Sequence, residues 1–328
     1  MKKLITAATA FTVAFALLTG CGGNTATTAQ STESEEAKQE TVQETEQEAV
    51  QETAQETEQE AAQETEQEAV QETAQEEPVE IQVFIAASLN TVMQDVKAAY
   101  EADHPNVTIV LNPDSSGKLL TQIEEGYECD VFFSAAQKQM NTLQDTDGLV
   151  VEGTRHNVVN NQVVVVSRKD SGTSVTGLAD IGNAESIALA DGSVPVGRYT
   201  RVAMAALGIL PETEDPSVYT TQEVSDALGG VEISEQSNVS KVLAAVVEGS
   251  CEVGTTYYSD TYGYEDQLDI LEKVSYDLTG NVIYPIAQVK NDQASDAQAA
   301  AAADFVEFVA SDQMKPVFEG YYFDTNVE

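Results

Sequence analysis

Apolar and polar positions change rhythm along this chain, and the change marks its elements. Apolar-rich stretches predict strands at 81–86, 107–111, 130–134, 162–167, 186–190, 252–257 and 282–289. Between them apolar residues recur every three or four positions, which predicts helices at 88–103, 117–125, 136–144, 197–207, 238–248, 295–310 and 312–319. Val92, Val96 and Tyr100 follow this second rhythm, as do Val242, Leu243 and Val246. Gly117, Gly126, Gly148, Gly208 and Gly249 punctuate the ends of several helices. Alternation of this kind predicts an α/β fold of parallel-rich sheets covered by helices.

The runs Val163–Val166 and Val282–Val289 are expected to cross between two lobes and form a hinge. Lobe one would be 81–161 plus 290–328, and lobe two 162–289 with the hinge strands. A cleft between lobes is a preferred place for a small-molecule site.

Before residue 81 neither rhythm holds. Lys2 and Lys3 precede an apolar run, Leu4–Leu18, and Thr19-Gly20-Cys21 follows, so residues 1–20 are expected to be an export leader. Cys21 directly after small residues resembles a lipobox, which implies cleavage before it and a lipid on its sulfur. Residues 21–80 form an acidic Gln/Glu-rich spacer; from Gln43 the tetrads QETE, QEAV and QETA recur. A four-residue period drifts around a 3.6-residue helix and makes no apolar seam, and without aromatics no core forms. The expected product is a domain held outside the cell membrane by a lipid and a spacer, or, in a rival class, a wall-associated adhesin.

The net charge is −41, of which 18 Glu against three Lys leave −15 in residues 1–80 and −26 in the rest. Nothing basic clusters to meet phosphate, so nucleic acid is excluded as a partner. Exposed charge is screened over about 8–10 Å at physiological salt, so the overall sign governs solubility and does not choose a ligand. Cys129 and Cys251 could form one disulfide or serve as two small core residues, and the strand after Cys129 favours the core. His104 and His156 lack ligand spacing, and there is no nucleophile elbow or phosphate loop, so an enzyme is not expected.

What recurs is a corner, a buried strand passing straight into a helix start. The first is Ile85-Ala86-Ala87-Ser88, with Ser88 placed as an N-cap; the second is Asp114-Ser115-Ser116-Gly117. The third is Ser193-Val194-Pro195-Val196-Gly197, and the fourth Ser237-Asn238-Val239-Ser240. The fifth, Thr256-Tyr257-Tyr258, ends a strand with a phenol. Capping alone would explain Ser88, Ser116 and Asn238 one by one; as a set, helix starts and hydroxyls also suit an anion. Arg198 is either a further anion contact or an exposed helix charge.

At these corners the chain resembles the molybdate-binding proteins of ABC importers. The resemblance covers 81–328 through AASL, DSSGKL, CDVFFSA, SVPVGRY, GTTYYSD, IYPIA and VFEGYYF, in that order. It implies a two-lobed periplasmic-binding-protein-like fold of type II, and a monomer that takes molybdate, with tungstate, to an ABC permease and its ATPase. Molybdate or tungstate is then cargo, with no cofactor and no direct cation ligand. The family's oxyanion contacts fall on Ser88, Ser116, Val196, Val239 and Tyr257. The serine and tyrosine hydroxyls would donate from their side chains, and the two valines from backbone N–H groups. Two rivals stay open: a ferric-binding transport protein using Tyr257 and Tyr258 as phenolates, and a sulfate- or phosphate-type oxyanion binder.

Overall fold

A computed structural model describes residues 77–327. The leader, Cys21 and nearly all of the spacer lie outside the described residues. Two five-stranded sheets form the domain. The strands are β1 (Val79–Ala86), β2 (Val107–Asp114), β3 (Val131–Phe133), β4 (His156–Asn161), β5 (Val163–Arg168), β6 (Ser186–Ala190), β7 (Glu232–Gln236), β8 (Val253–Tyr257), β9 (Leu268–Lys273) and β10 (Val282–Gln288).

The first sheet runs β2-β1-β3-β10-β4 and the second β7-β6-β8-β5-β9. In each, three strands run parallel and one antiparallel strand joins them to the last. The parallel strands β1, β3, β6 and β8 are largely buried on both faces, so they lack the strict apolar–polar alternation of a half-exposed strand.

The helices are α1 (Asn90–Asp103), α2 (Ser116–Glu124), α3 (Gln137–Asn141), α4 (Pro195–Ala206), α5 (Thr221–Ala227), α6 (Val239–Val247), α7 (Asp296–Ala310) and α8 (Lys315–Gly320). α1 buries Val92, Met93, Val96 and Tyr100, the stripe its spacing predicts. Tyr100 meets Phe305 of α7 edge to face at 5.1 Å, closing the layer over the first sheet.

The hinge differs from its expectation. β10 bonds on one side to β3, with Ile286 opposite Phe133, and on the other to β4, with Val282 opposite Asn161. It therefore lies wholly in the first sheet, and 282–288 belongs with lobe one. β5 likewise lies wholly in the second sheet. The chain passes between sheets at Gln162 and again over 274–281. An unbroken apolar run records burial on both faces and carries no information about crossing, hence the misplacement.

Three strands have no counterpart in the apolar pattern: β4, β7 and β9. All three are edge strands, with polar sequences HNVVNN, EISEQ and LDILEK. An edge needs less apolar surface and tolerates charge, so the run that announces a central strand is missing.

Cys129 and Cys251 are free buried thiols in different lobes, in line with the core reading. His104 stacks on Tyr100 at 4.0 Å, and His156 pairs with Glu307 at 2.9 Å. Among the described residues no helix is long and apolar enough to cross a membrane.

Candidate functional site

A small cavity of about 10 Å³ lies between the two sheets, where the strand ends of both lobes face each other. Its walls are Ala86, Ala87, Ser88, Ser115, Ser116 and Ala135 from the first lobe, and Val194, Pro195, Val196, Val239 and Tyr257 from the second. All five residues expected to contact an oxyanion line this one space, although they span 170 positions of sequence.

The local roles differ from the capping expectation at two places. Ser88 sits inside a 3-10 turn, Ala87–Leu89, and caps nothing; its Oγ is 2.9 Å from the Tyr284 hydroxyl. The cap of α2 is Ser115, whose Oγ accepts from the Lys118 N–H at 3.4 Å. Ser116 is therefore the first helical residue, and its Oγ accepts the Ala135 N–H at 2.9 Å. Asn238 does cap α6, accepting from the Lys241 N–H at 3.0 Å. The two serines are thus free of capping, and both line the cavity.

The amides follow from helix geometry. N–H groups in the first turn have no partner within the helix. Val239 opens α6, and Val196 follows Pro195, whose missing N–H is harmless at the first position. A side chain at Gly197 would fall 2.2 Å from the Asp191 carbonyl oxygen, so glycine lets the start of α4 lie directly on the end of β6.

A guanidinium buried beneath that turn holds it there. Arg201 donates to the carbonyl oxygens of Ala190 (2.8 Å), Gly197 (2.9 Å) and Tyr219 (2.9 Å). Nothing in the apolar pattern of α4 singled out Arg201, because its importance lies in a fully buried position that spacing alone does not reveal. Arg198 points elsewhere: it pairs with Asp215 at 3.7 Å, lies over the Tyr199 ring, and is absent from the cavity wall.

Tyr257 carries the most informative atom. It is 1% exposed and its hydroxyl has no hydrogen-bond partner. The neighbouring Tyr284 ring is 5.9 Å away, but its hydroxyl is engaged by Ser88 and by the Asn161 amide at 3.0 Å. Burial pushes the Tyr257 phenol well above its usual range, with the Tyr284, Tyr199 and Asp260 groups adding to the effect. The hydroxyl therefore keeps its proton and stands as a donor awaiting an acceptor. Native proteins rarely leave such a group unpaired, so the orphan is a pointer to a ligand.

Tyr258 does not join it. Its ring stacks on Tyr322 (4.8 Å, 12° between planes), lies under the Lys273 ammonium at 3.2 Å, and is absent from the cavity wall. The paired phenols accordingly do not converge on one metal. Among the described residues no group of three His, Cys, Asp or Glu could hold a metal ion.

The lobes also touch around the cavity. Lys138 donates to Asp215 at 2.6 Å and to Ser217 at 3.3 Å, and Gln139 Nε2 approaches the Ser193 carbonyl at 3.5 Å. Gly117 faces the same carbonyl so closely that a Cβ would lie 2.6 Å from its oxygen. The pattern that marked Gly117 as a helix stop misplaced it; it lies in the first turn of α2, kept small by the opposite lobe.

This arrangement, two lobes around a small neutral cavity, agrees with the comparisons to known proteins. Residues 81–324 match the family model of bacterial extracellular solute-binding proteins. The chain belongs to that family. This solute-binding protein is 29% identical over 254 residues to the molybdate-binding protein ModA of Escherichia coli, covering 74% of its own length and 88% of the relative. It is 28% identical over 253 residues to ModA of Haemophilus influenzae, covering 74% and 89%.

Among solved structures, the periplasmic molybdate-binding protein of Azotobacter vinelandii superimposes with a TM-score of 0.60 at 17% identity, over 74% of this chain and 98% of that one. The sulfate-binding protein SubI of Mycobacterium tuberculosis does so at 0.59 and 15%, over 75% and 86%. At those identities the likeness is one of fold, and it confirms the two-lobed type II α/β architecture.

Proposed function

We propose that this solute-binding protein captures molybdate, and tungstate with it, between its lobes and delivers it to an ABC permease with its ATPase. The single observation behind this reading is the cavity in which Ser88, Ser116, Val196, Val239 and Tyr257 meet, every wall group neutral and the Tyr257 hydroxyl unspent. A tetrahedral dianion offers four oxygens that only accept hydrogen bonds, and these residues supply hydroxyl and amide donors around it. Three helix starts facing the space add partial positive charge with no mobile cation. The cargo leaves unchanged, so no catalysis is part of the reading.

The chain acts as a monomer, tethered by a lipid on Cys21 and held off the membrane by the spacer of residues 21–80. The ferric rival loses its support, because Tyr257 lines the cavity while Tyr258 stacks on Tyr322 beneath Lys273, so the two phenols do not converge. Sulfate and phosphate share the donor requirement and are separated from molybdate by size.

Calorimetry of the purified protein with molybdate, tungstate, sulfate, phosphate and ferric citrate tests the proposal. Molybdate and tungstate should bind with similar affinity and sulfate more weakly. Absence of heat with every tetrahedral dianion, or a tight complex with iron, overturns it.

A further inference from the structure

Behind Ser88 lies a buried polar chain that reaches the junction between the lobes. Ser88 Oγ meets Tyr284 Oη at 2.9 Å, Tyr284 Oη meets Asn161 Nδ2 at 3.0 Å, and Asn161 Nδ2 also meets Ser259 Oγ at 2.8 Å. Tyr284 is fully buried and Asn161 is 1% exposed, so water does not compete for these bonds.

The orientation of the Asn161 amide constrains the protons of this chain. Asn161 Oδ1 lies 2.9 Å from the Gln162 N–H and 3.4 Å from the Ser259 N–H. Backbone N–H groups only donate, so the atom facing them is the carbonyl oxygen, and the amide nitrogen faces Tyr284. That nitrogen only donates as well. Tyr284 Oη thus accepts from Asn161, and the arrangement that also satisfies its own hydrogen has it donate to Ser88 Oγ, which is the direction inferred. Burial raises the Tyr284 phenol far above its usual range, so this hydrogen stays in place. Ser88 Oγ then accepts from behind, and its own hydrogen is free for the cavity.

Ser116 is set the same way by a different device, since the Ala135 N–H at 2.9 Å fills its acceptor side. On this inference both serines present a hydrogen to the cavity.

We propose that Tyr284 and Asn161 are positioning residues that fix Ser88 as a hydrogen-bond donor, and so help the site select ligand oxygens that carry no proton. The proposal rests on the oxyanion reading above and assigns to it two residues that touch no ligand. Without the relay, the Ser88 hydroxyl rotates and divides its hydrogen between cavity and core. Reversing the relay at Asn161 would present a lone pair to the anion, which is worse than presenting nothing.

The test is a double-mutant cycle on the full chain, read by calorimetry with molybdate at pH 8 and by the ligand-free melting temperature. Tyr284→Phe keeps the ring and should weaken binding about tenfold. In a Ser88→Ala background it should have no further effect, because its influence passes through that hydroxyl. Asn161→Asp replaces the donor by an acceptor and should weaken binding at least as much, which serves as the second route should Tyr284→Phe fold poorly.

An equal loss from Tyr284→Phe with and without Ser88, or affinity within twofold of the unmodified protein in both Tyr284→Phe and Asn161→Asp, overturns the relay. A fall in melting temperature with affinity intact would mark a purely structural role and overturns it too. Failure of the unmodified protein to bind any oxyanion defeats the proposed function first, and its own titration tells the two failures apart.

Discussion

Replacing Tyr257 by Phe removes one oxygen from a buried site, and the structure fixes opposite signs for its two consequences. In the ligand-free protein the hydroxyl has no partner, and an unsatisfied buried polar group costs about 1–3 kcal/mol. Tyr257→Phe relieves that cost, so the variant should melt no lower than the unmodified protein. For a domain of this size each kcal/mol moves the midpoint by about 2–4 °C, upward here. In the complex the same change deletes a donor to a charged ligand, worth about 1.5–3 kcal/mol, or about 10- to 100-fold in affinity. Differential scanning calorimetry without ligand and titration with molybdate read the two effects separately. A variant that melts lower yet binds molybdate as tightly would falsify the placement of this phenol at the ligand.

Gly117→Ala puts a methyl group 2.6 Å from the Ser193 carbonyl oxygen of the opposite lobe, so closure should be penalised by about 1–3 kcal/mol. Titration should show at least a tenfold weaker complex, and because the lobes already touch here, ligand-free melting should fall as well; unaltered affinity would mean the lobes need not approach so closely. Lys138→Ala deletes a contact whose side chains are 46% and 37% exposed, so it should cost less than about 1 kcal/mol, and the difference should fade at high salt.

Asp260 gives a pH signature. Burial pushes its carboxyl up to about 6, against the opposing bonds from Thr256 and the Tyr257 N–H. The folded protein therefore takes up a proton near pH 6 and the unfolded chain only near 4, so this group favours the fold increasingly as pH falls from 7 to 5. The gain is about 1 kcal/mol, and denaturant melts of Asp260→Asn at the two pH values should lack it.

How much of this was readable from the sequence depends on what each residue packs against. Central strands such as β1 and β8 announced themselves because both faces are buried. The edges β7 and β9 stayed silent because one side meets water, and β4 because the residues it buries include Asn160 and Asn161. The helix starts at Val196 and Val239 were legible from Pro195 and Asn238, whose chemistry is local. Ser88 was found for a reason that proved incorrect, since its hydroxyl answers to Tyr284, 196 residues away, and caps no helix. Arg201, Asn161 and Tyr284 act through contacts that reach from 11 to 196 positions, and no period or motif encodes such distances. Tyr258, unexplained beside Tyr257, proved to be a stacking partner of Tyr322.

The division of the donors between the lobes has a mechanical corollary. On the proposed oxyanion reading neither half alone would surround an ion, since Ser88 and Ser116 stand on one side while Val196, Val239 and Tyr257 stand on the other. Grip is thus a product of two weak halves. Any force that parts them drops retention by orders of magnitude, with no bond to cleave and no counter-charge to neutralise. Unloading becomes a matter of leverage.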